Sequence, residues 1–366
     1  MTTRTETRYL RDILRQPAEL GRWLASTRGE GREDLECAAA ILREARDVYI
    51  VGIGASWNAG LAAQSFFASA GRPACLVDAS EFLHFKTFRP GSAVLALSRS
   101  GRSVEMVRLL DVAADAGARV VAVTNAPDSP LGMRADATVA LGAAFDHGVS
   151  VVTYSAIALA GAVVAASAAG TLDFAELDRL ADAIRRLPEA IDGWRKALRG
   201  HGWFAPEAAT YFLARGASLA SANEAALLWE EAAKAPARAL TTGGFRHGPQ
   251  EIASSGLRVG LWIDPERRRR EDVALARDLR RLGVRVMAIG RDLPADAGDL
   301  LFDVPEVAPA WQFVLDIVPV QLAAEHLSRV RGVDCDTFRL CSYVVESEGG
   351  LLEGGKGVHL LKEDRA

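Results

Sequence analysis

Short apolar runs alternate along this chain with longer stretches of helical spacing. Residues 48–51, 74–77, 92–97, 118–125 and 137–141 are compact apolar runs and read as strands. Most segments between them return an apolar residue every three or four positions, the spacing of a helix with one buried face. Strands alternating with helices predict a parallel, doubly wound sheet. The pattern then recurs. Tyr211-Phe212-Leu213-Ala214-Arg215-Gly216-Ala217-Ser218 mirrors Ile50-Val51-Gly52-Ile53-Gly54-Ala55-Ser56, residues 282–289 echo 116–123, and residues 303–305 end a strand that answers 137–141. The similar offset predicts two homologous α/β halves in tandem, each a three-layer α/β/α unit. The expected division is a helical arm over residues 1–35, a first half over 36–190, a second over 191–346 and a tail over 347–366. A charged helical stretch near residues 172–202 serves as linker.

Composition narrows the function more than the fold. The chain has 366 residues, of which 49% are hydrophobic and 25% charged, a globular balance with room for a large core. A net charge of −4 leaves no basic excess for nucleic acid. The one basic run, Arg267-Arg268-Arg269-Arg270, is flanked by acids and reads as a solvated helix start. Residues 156–169 are apolar but short for a bilayer and rich in small side chains, so a buried helix is expected there and no membrane span. Cys37, Cys75, Cys335 and Cys341 form no CxxC, and no histidine follows at zinc spacing, so no metal site is expected. So few cysteines, with no apolar leader in the first residues, predict a reducing cytoplasm.

The chemistry concentrates where a strand runs into a helix. Residues 98–103, Ser-Arg-Ser-Gly-Arg-Ser, join the apolar run 92–97 to a helix from Val104. A helix N-terminus carries unpaired N–H groups and positive partial charge, serine hydroxyls add donors, and glycine lets the backbone approach closely. Two readings stand at this point: a phosphate cradle, or a serine-rich turn in which Ser98 or Ser103 only caps the helix. Gly52-Ile53-Gly54 also follows a strand, but Ser56 stands after it and the third glycine of a dinucleotide fingerprint is missing; Asp78 is the one candidate for a ribose acid. Glu231 ends an alanine-rich helix and by itself reads as a solvated carboxylate paired at i+3 with Lys234. His247 lies in the loop Phe245-Arg246-His247-Gly248-Pro249, a setting that favours a site role. Glu224 reads as a structural support for the same helix as Glu231, and the other five histidines read as surface or structural.

Four stretches together resemble tandem sugar isomerase (SIS) domain proteins, and above all the isomerase part of glutamine–fructose-6-phosphate aminotransferases. They are residues 54–60 (Gly-Ala-Ser-Trp-Asn-Ala-Gly), 98–103, 224–231 (Glu-Ala-Ala-Leu-Leu-Trp-Glu-Glu) and 243–249 (Gly-Gly-Phe-Arg-His-Gly-Pro). The likeness runs from about Tyr9, where Ile13-Leu14-Arg15-Gln16-Pro17 resembles the family's arm, to about Val345. The resemblance implies a sugar phosphate held by Ser98, Ser100, Ser103 and the Arg99 backbone, with Gly54, Ala55, Ser56, Val149, Ser342 and Tyr343 around the sugar. It implies Glu231 as the group that moves a proton between C1 and C2, and His247 as ring opener, reaching the site from the neighbouring subunit of a homodimer. It implies no cofactor and no metal.

The chain also departs from the family pattern. It begins almost at the isomerase part, so we expect no use of glutamine. The family's imine-forming lysine aligns with Tyr343, after Ser342, and a phenol cannot form an imine. Two further lysines become Leu228 and Thr153, and the family's Gly-Glu becomes Gly243-Gly244. Lys356, in the tail, is the remaining candidate amine. The expectation is therefore an aldose–ketose isomerase or amino-sugar-phosphate deaminase acting on a hexose or hexosamine 6-phosphate, with a 6-phospho-fructosamine deglycase or a non-catalytic phosphosugar sensor as alternatives.

Overall fold

The computed structural model describes residues 6–349; Lys356, His359 and most of the expected tail lie outside the described residues. Five parallel strands, β1 (Asp47–Gly52), β2 (Ala74–Asp78), β3 (Ser92–Ser98), β4 (Arg119–Thr124) and β5 (Ala137–Ala140), form a sheet ordered β2-β1-β3-β4-β5. Five more, β6 (Ala209–Ala214), β7 (Ala237–Thr241), β8 (Leu257–Trp262), β9 (Arg285–Gly290) and β10 (Leu300–Asp303), form a second parallel sheet ordered β7-β6-β8-β9-β10. The two orders are one pattern used twice. β3 and β8 are buried at every position, which is why they read as continuous apolar runs rather than alternating ones.

In each sheet the chain steps to one side of its first strand and then crosses to the other. Ligands in such sheets bind beyond the carboxyl ends of the strands at that reversal. In the first sheet this places the residues after β1 and after β3 side by side, and these carry the Gly52-Ile53-Gly54 turn and the serine turn.

The helix Val152–Ala169 is buried along nearly its whole length, and its small residues let it lie close against the helix Ala55–Ser69. It is the one described helix long and apolar enough to cross a membrane, and 89% of it is buried inside the protein. A single apolar core runs from the arm (Ile13, Leu20) through Ile157 and Leu159 to Phe212, Trp229 and Phe313 of the second half. The arm helix Arg8–Ser26 is capped by Thr7 and buries Tyr9, Leu10, Ile13, Leu20, Trp23 and Leu24. It packs on the helices Phe174–Leu198 and Val152–Ala169, so its apolar stripe is spent on the body of the chain. Its buried Gln16 donates to Gln321 at 2.7 Å and accepts from the Ser155 hydroxyl at 2.6 Å. The boundary drawn at 35/36 falls within the helix Arg32–Glu44, and that at 190/191 within Phe174–Leu198.

Candidate functional site

The serine turn is held open by its own backbone. Ser98 Oγ accepts the Gly101 N–H at 3.0 Å, and Ser100 Oγ accepts the Arg102 N–H at 3.2 Å. Gly101 sits at φ +59°, and a Cβ there would lie 1.9 Å from Ser129 Oγ, so only glycine fits. Ser103 occupies the cap position of the helix Val104–Asp115, yet its hydroxyl makes no capping bond. The capping interpretation of Ser98 and Ser103 therefore fails: Ser98 serves the turn and Ser103 caps nothing. A hydroxyl that accepts one bond still has a proton to donate. Among the described residues the hydroxyls of Ser56, Ser98, Ser100 and Ser103 donate to nothing.

Gly52 lets the preceding turn close, because a Cβ there would come within 2.7 Å of the Ser56 backbone. Asp78 accepts the N–H groups of Ser80 and Glu81 and so caps the helix Ala79–Phe85. That removes the one candidate ribose acid and with it the dinucleotide interpretation.

Both turns open into a cavity of about 300 Å³. Gly54, Ala55, Ser56, Ser98, Arg99, Ser100 and Ser103 line it from the first half, Glu231 from the second, and Ser342 and Tyr343 from the C-terminal segment. The segment crosses the turn closely: the Val104 N–H donates to the Val345 carbonyl at 3.1 Å. Arg99 folds back beneath it. Its guanidinium donates to the carbonyls of Tyr343 at 2.7 Å and Gly148 at 3.2 Å, and lies 4.0 Å from the centre of the Tyr343 ring. The Tyr343 hydroxyl donates to the Asp146 carbonyl at 2.9 Å.

Glu231 ends the helix Leu219–Glu231. Burial pushes its carboxyl up to about 7, against the opposing pull of Arg99 and Lys234. Its carboxylate makes no hydrogen bond or ion pair with a described residue, and the expected i+3 pairing with Lys234 does not form. The Lys234 ammonium instead donates to three carbonyls, Glu231 at 2.6 Å, Asp334 at 2.8 Å and Thr337 at 2.9 Å. One helical turn and more before it, Glu224 is fully buried and accepts from Asn58 Nδ2 at 2.9 Å. Burial holds Glu224 well above the usual carboxylate range. Asn58 belongs to the helix that starts at the glycine turn, so this bond ties the Glu231 helix to the first half, a structural role.

Val149 is not brought to the cavity. It is buried in the apolar core, while its neighbours face the site: the Gly148 carbonyl receives Arg99, and Ser150 lines the cavity. His247 is exposed on the loop after β7, with Phe245 buried as the loop's anchor, and it does not line the cavity of its own chain. Thr153 is buried and bonded to Asp146 and Ser150, and Leu228 is fully buried, so both positions are taken up by packing. Glu105, Ser150 and Phe338 line the cavity without having been singled out. Glu105 reads from the sequence only as an acid in the first turn of a helix, which is where helices commonly carry one.

Residues 41–169 match the family model of the SIS domain. The chain is homologous to the isomerase part of glutamine–fructose-6-phosphate aminotransferases. It is 27% identical over 352 residues to the isomerizing enzyme of that name from Pyrobaculum aerophilum, covering 93% of this chain and 57% of that protein. It thus spans little more than half of that relative's length. Among solved structures, the C-terminal domain of glucosamine-fructose-6-phosphate aminotransferase from Francisella tularensis superposes with a TM-score of 0.80 at 20% identity, covering 92% of this chain and 99% of the other. Glucosamine-6-phosphate deaminase from Thermotoga maritima superposes with a TM-score of 0.76 at 20% identity, covering 93% and 99%. These likenesses establish the fold.

Proposed function

We propose that the chain is a phosphosugar isomerase or amino-sugar-phosphate deaminase, built from two SIS halves in tandem and acting on a hexose or hexosamine 6-phosphate. The observation that carries this reading is one cavity with unused serine hydroxyls on one side and a half-buried carboxyl, which desolvation pushes up to about 7, on the other. The serine turn anchors the phosphate of the sugar through Ser98, Ser100 and Ser103. That anchoring supplies binding energy away from the reacting carbons and fixes their orientation. Glu231 then takes a proton from one of C1 and C2 and returns it to the other through an enediol or enediolamine; a group titrating near neutrality suits both transfers. Ser342 and Tyr343 close over the sugar. Gly54, Ala55 and Ser56 border it, and Val149 supports that wall from the core.

His247 opens the sugar ring in this reading, supplied by a second copy of the chain, since it stands exposed on its loop and outside its own cavity. A homodimer follows, without metal or cofactor, in the cytoplasm. Among the described residues no lysine lines the cavity, which favours isomerisation or deamination over amination of a ketose. A sensor needs no carboxylate over the sugar; the place of Glu231 in the cavity supports an enzyme instead.

Thermal stabilisation by a panel of sugar phosphates, with wild type and Ser100→Ala, tests the anchor. A ligand at ~100 times its Kd adds about 2.7 kcal/mol to wild type. The variant shows no such gain. The stabilising sugar then enters an NMR turnover assay with Glu231→Gln as control. Equal stabilisation of both proteins would place the ligand elsewhere.

A further inference from the structure

We propose that Arg99 is a catalytic residue that holds the negative charge developing on the sugar's oxygen when Glu231 removes the carbon-bound proton. The inference rests on the isomerase or deaminase reading above and deepens it. It starts from a charge imbalance. Proton abstraction by a carboxylate leaves an enediolate, and the site must supply a cation or hydrogen-bond donors to that oxygen. Among the described residues that line the cavity Arg99 is the one cation, and the two acids are Glu105 and Glu231.

Arg99 is also fixed in place. Two of its donors go to the Tyr343 and Gly148 carbonyls, and its plane sits 4.0 Å from the Tyr343 ring. A guanidinium has five N–H donors, so others remain, and none meets a carboxylate. Arg99 and Glu231 line the same cavity, and the cation opposes the upward push of burial on the Glu231 carboxyl. A planar, permanently charged fork clamped by backbone carbonyls is preorganised for a developing oxyanion.

The step balances without any added reactant. The C2–H bond breaks, its proton goes to the Glu231 carboxylate, and its electron pair forms the C1=C2 bond. The former carbonyl electrons move onto O1, where Arg99 donates hydrogen bonds. Glu231 then returns the proton to C1, the O2 proton passes to O1, and the carbonyl reforms at C2. A guanidinium forms no imine, so Arg99 supplies the charge of a lysine without its covalent chemistry.

The test compares two ligands by calorimetry on wild type, Arg99→Gln and Tyr343→Ala. 5-Phosphoarabinonohydroxamate carries an ionisable head resembling the enediolate, and sorbitol 6-phosphate carries an uncharged one. Arg99→Gln is expected to weaken the hydroxamate about 100-fold and sorbitol 6-phosphate less than about threefold, in line with the loss of one oxyanion donor. Tyr343→Ala, which removes the ring that helps hold the guanidinium but keeps its charge, should reduce the hydroxamate preference less than Arg99→Gln does. An NMR titration of Glu231 in Arg99→Gln should move upward, because a neighbouring cation has been lost. Equal weakening of both ligands, or an unmoved Glu231 titration, would overturn the assignment of Arg99 while leaving the phosphosugar reading intact. Failure of either ligand to bind wild type would instead overturn that reading and the proposal with it.

Discussion

The turn after β3 and the turn after β8 occupy equivalent places in the two sheets, and they are finished in opposite ways. After β3 the serine hydroxyls brace the turn and keep their own protons free. After β8 the chain closes the same place with carboxylates. Asp264 Oδ1 accepts the N–H groups of Glu266 and Arg268 at 2.9 and 3.2 Å. Asp272, fully buried, accepts the Asp264 N–H at 3.2 Å and pairs with Arg215 at 2.8 Å. An anion placed by the chain itself satisfies the donors that an external anion would otherwise need. The difference teaches that a helix N-terminus in this fold is a site only if the sequence leaves it unsatisfied. Under the proposed function it also divides the labour: the first half would anchor the phosphate, and the second would contribute Glu231.

The sharpest way to break that division is Glu231→Gln. We expect turnover of the sugar phosphate to fall 10²–10⁴-fold. Thermal stabilisation by the same ligand should persist, because the anchor lies in the other half. Loss of both would mean that one half does everything. Next in size, Asp272→Ala strands Arg215 and unsatisfies the closed turn. Denaturant unfolding should show a loss of about 3 kcal/mol, with phosphosugar stabilisation of the remaining folded protein unaltered. Ser100→Asp converts the open turn into the closed type. It should erase the ligand-induced gain of about 2.7 kcal/mol while far-ultraviolet dichroism and apo melting temperature stay near wild type; retained binding would show that the turn is not the anchor.

The smallest effect concerns pH. The folded-state value of Glu231, about 7, is raised above its ordinary one, so its protonated form is favoured by folding. Stability from this group is full below about 4.5 and is lost as pH rises through about 7. Glu231→Gln removes that cost. The variant should match wild type near pH 4 and exceed it by on the order of 2 kcal/mol above pH 7, read from paired denaturant curves. Equal stability at both pH values would contradict burial as the cause of the shift.

Much of this was legible in the residues themselves. All the apolar runs that predict strands of the first half are strands, because fully covered parallel strands need no alternation to decipher. The serine turn was legible because its strand, glycine and helix lie within a few residues of one another. What depended on distant contacts was not. The Arg99 side chain takes its direction from Tyr343, 244 residues away in the chain. Lys234 looks like a partner for Glu231 by spacing, but the segment carrying Asp334 and Thr337 offers it carbonyls at shorter reach. Val149 lay in a loop where no periodicity tells which residue turns inward.

The helix Val152–Ala169 carries a thermodynamic consequence. Its apolar surface is shared out among the arm, the first sheet and elements of the second half, within one uninterrupted core. Neither half can melt without uncovering it. The protein should therefore lose its structure in a single cooperative transition, and a piece ending after this helix would present a wide oily surface to water and aggregate. Two units that repeat one topology are, in unfolding, one unit.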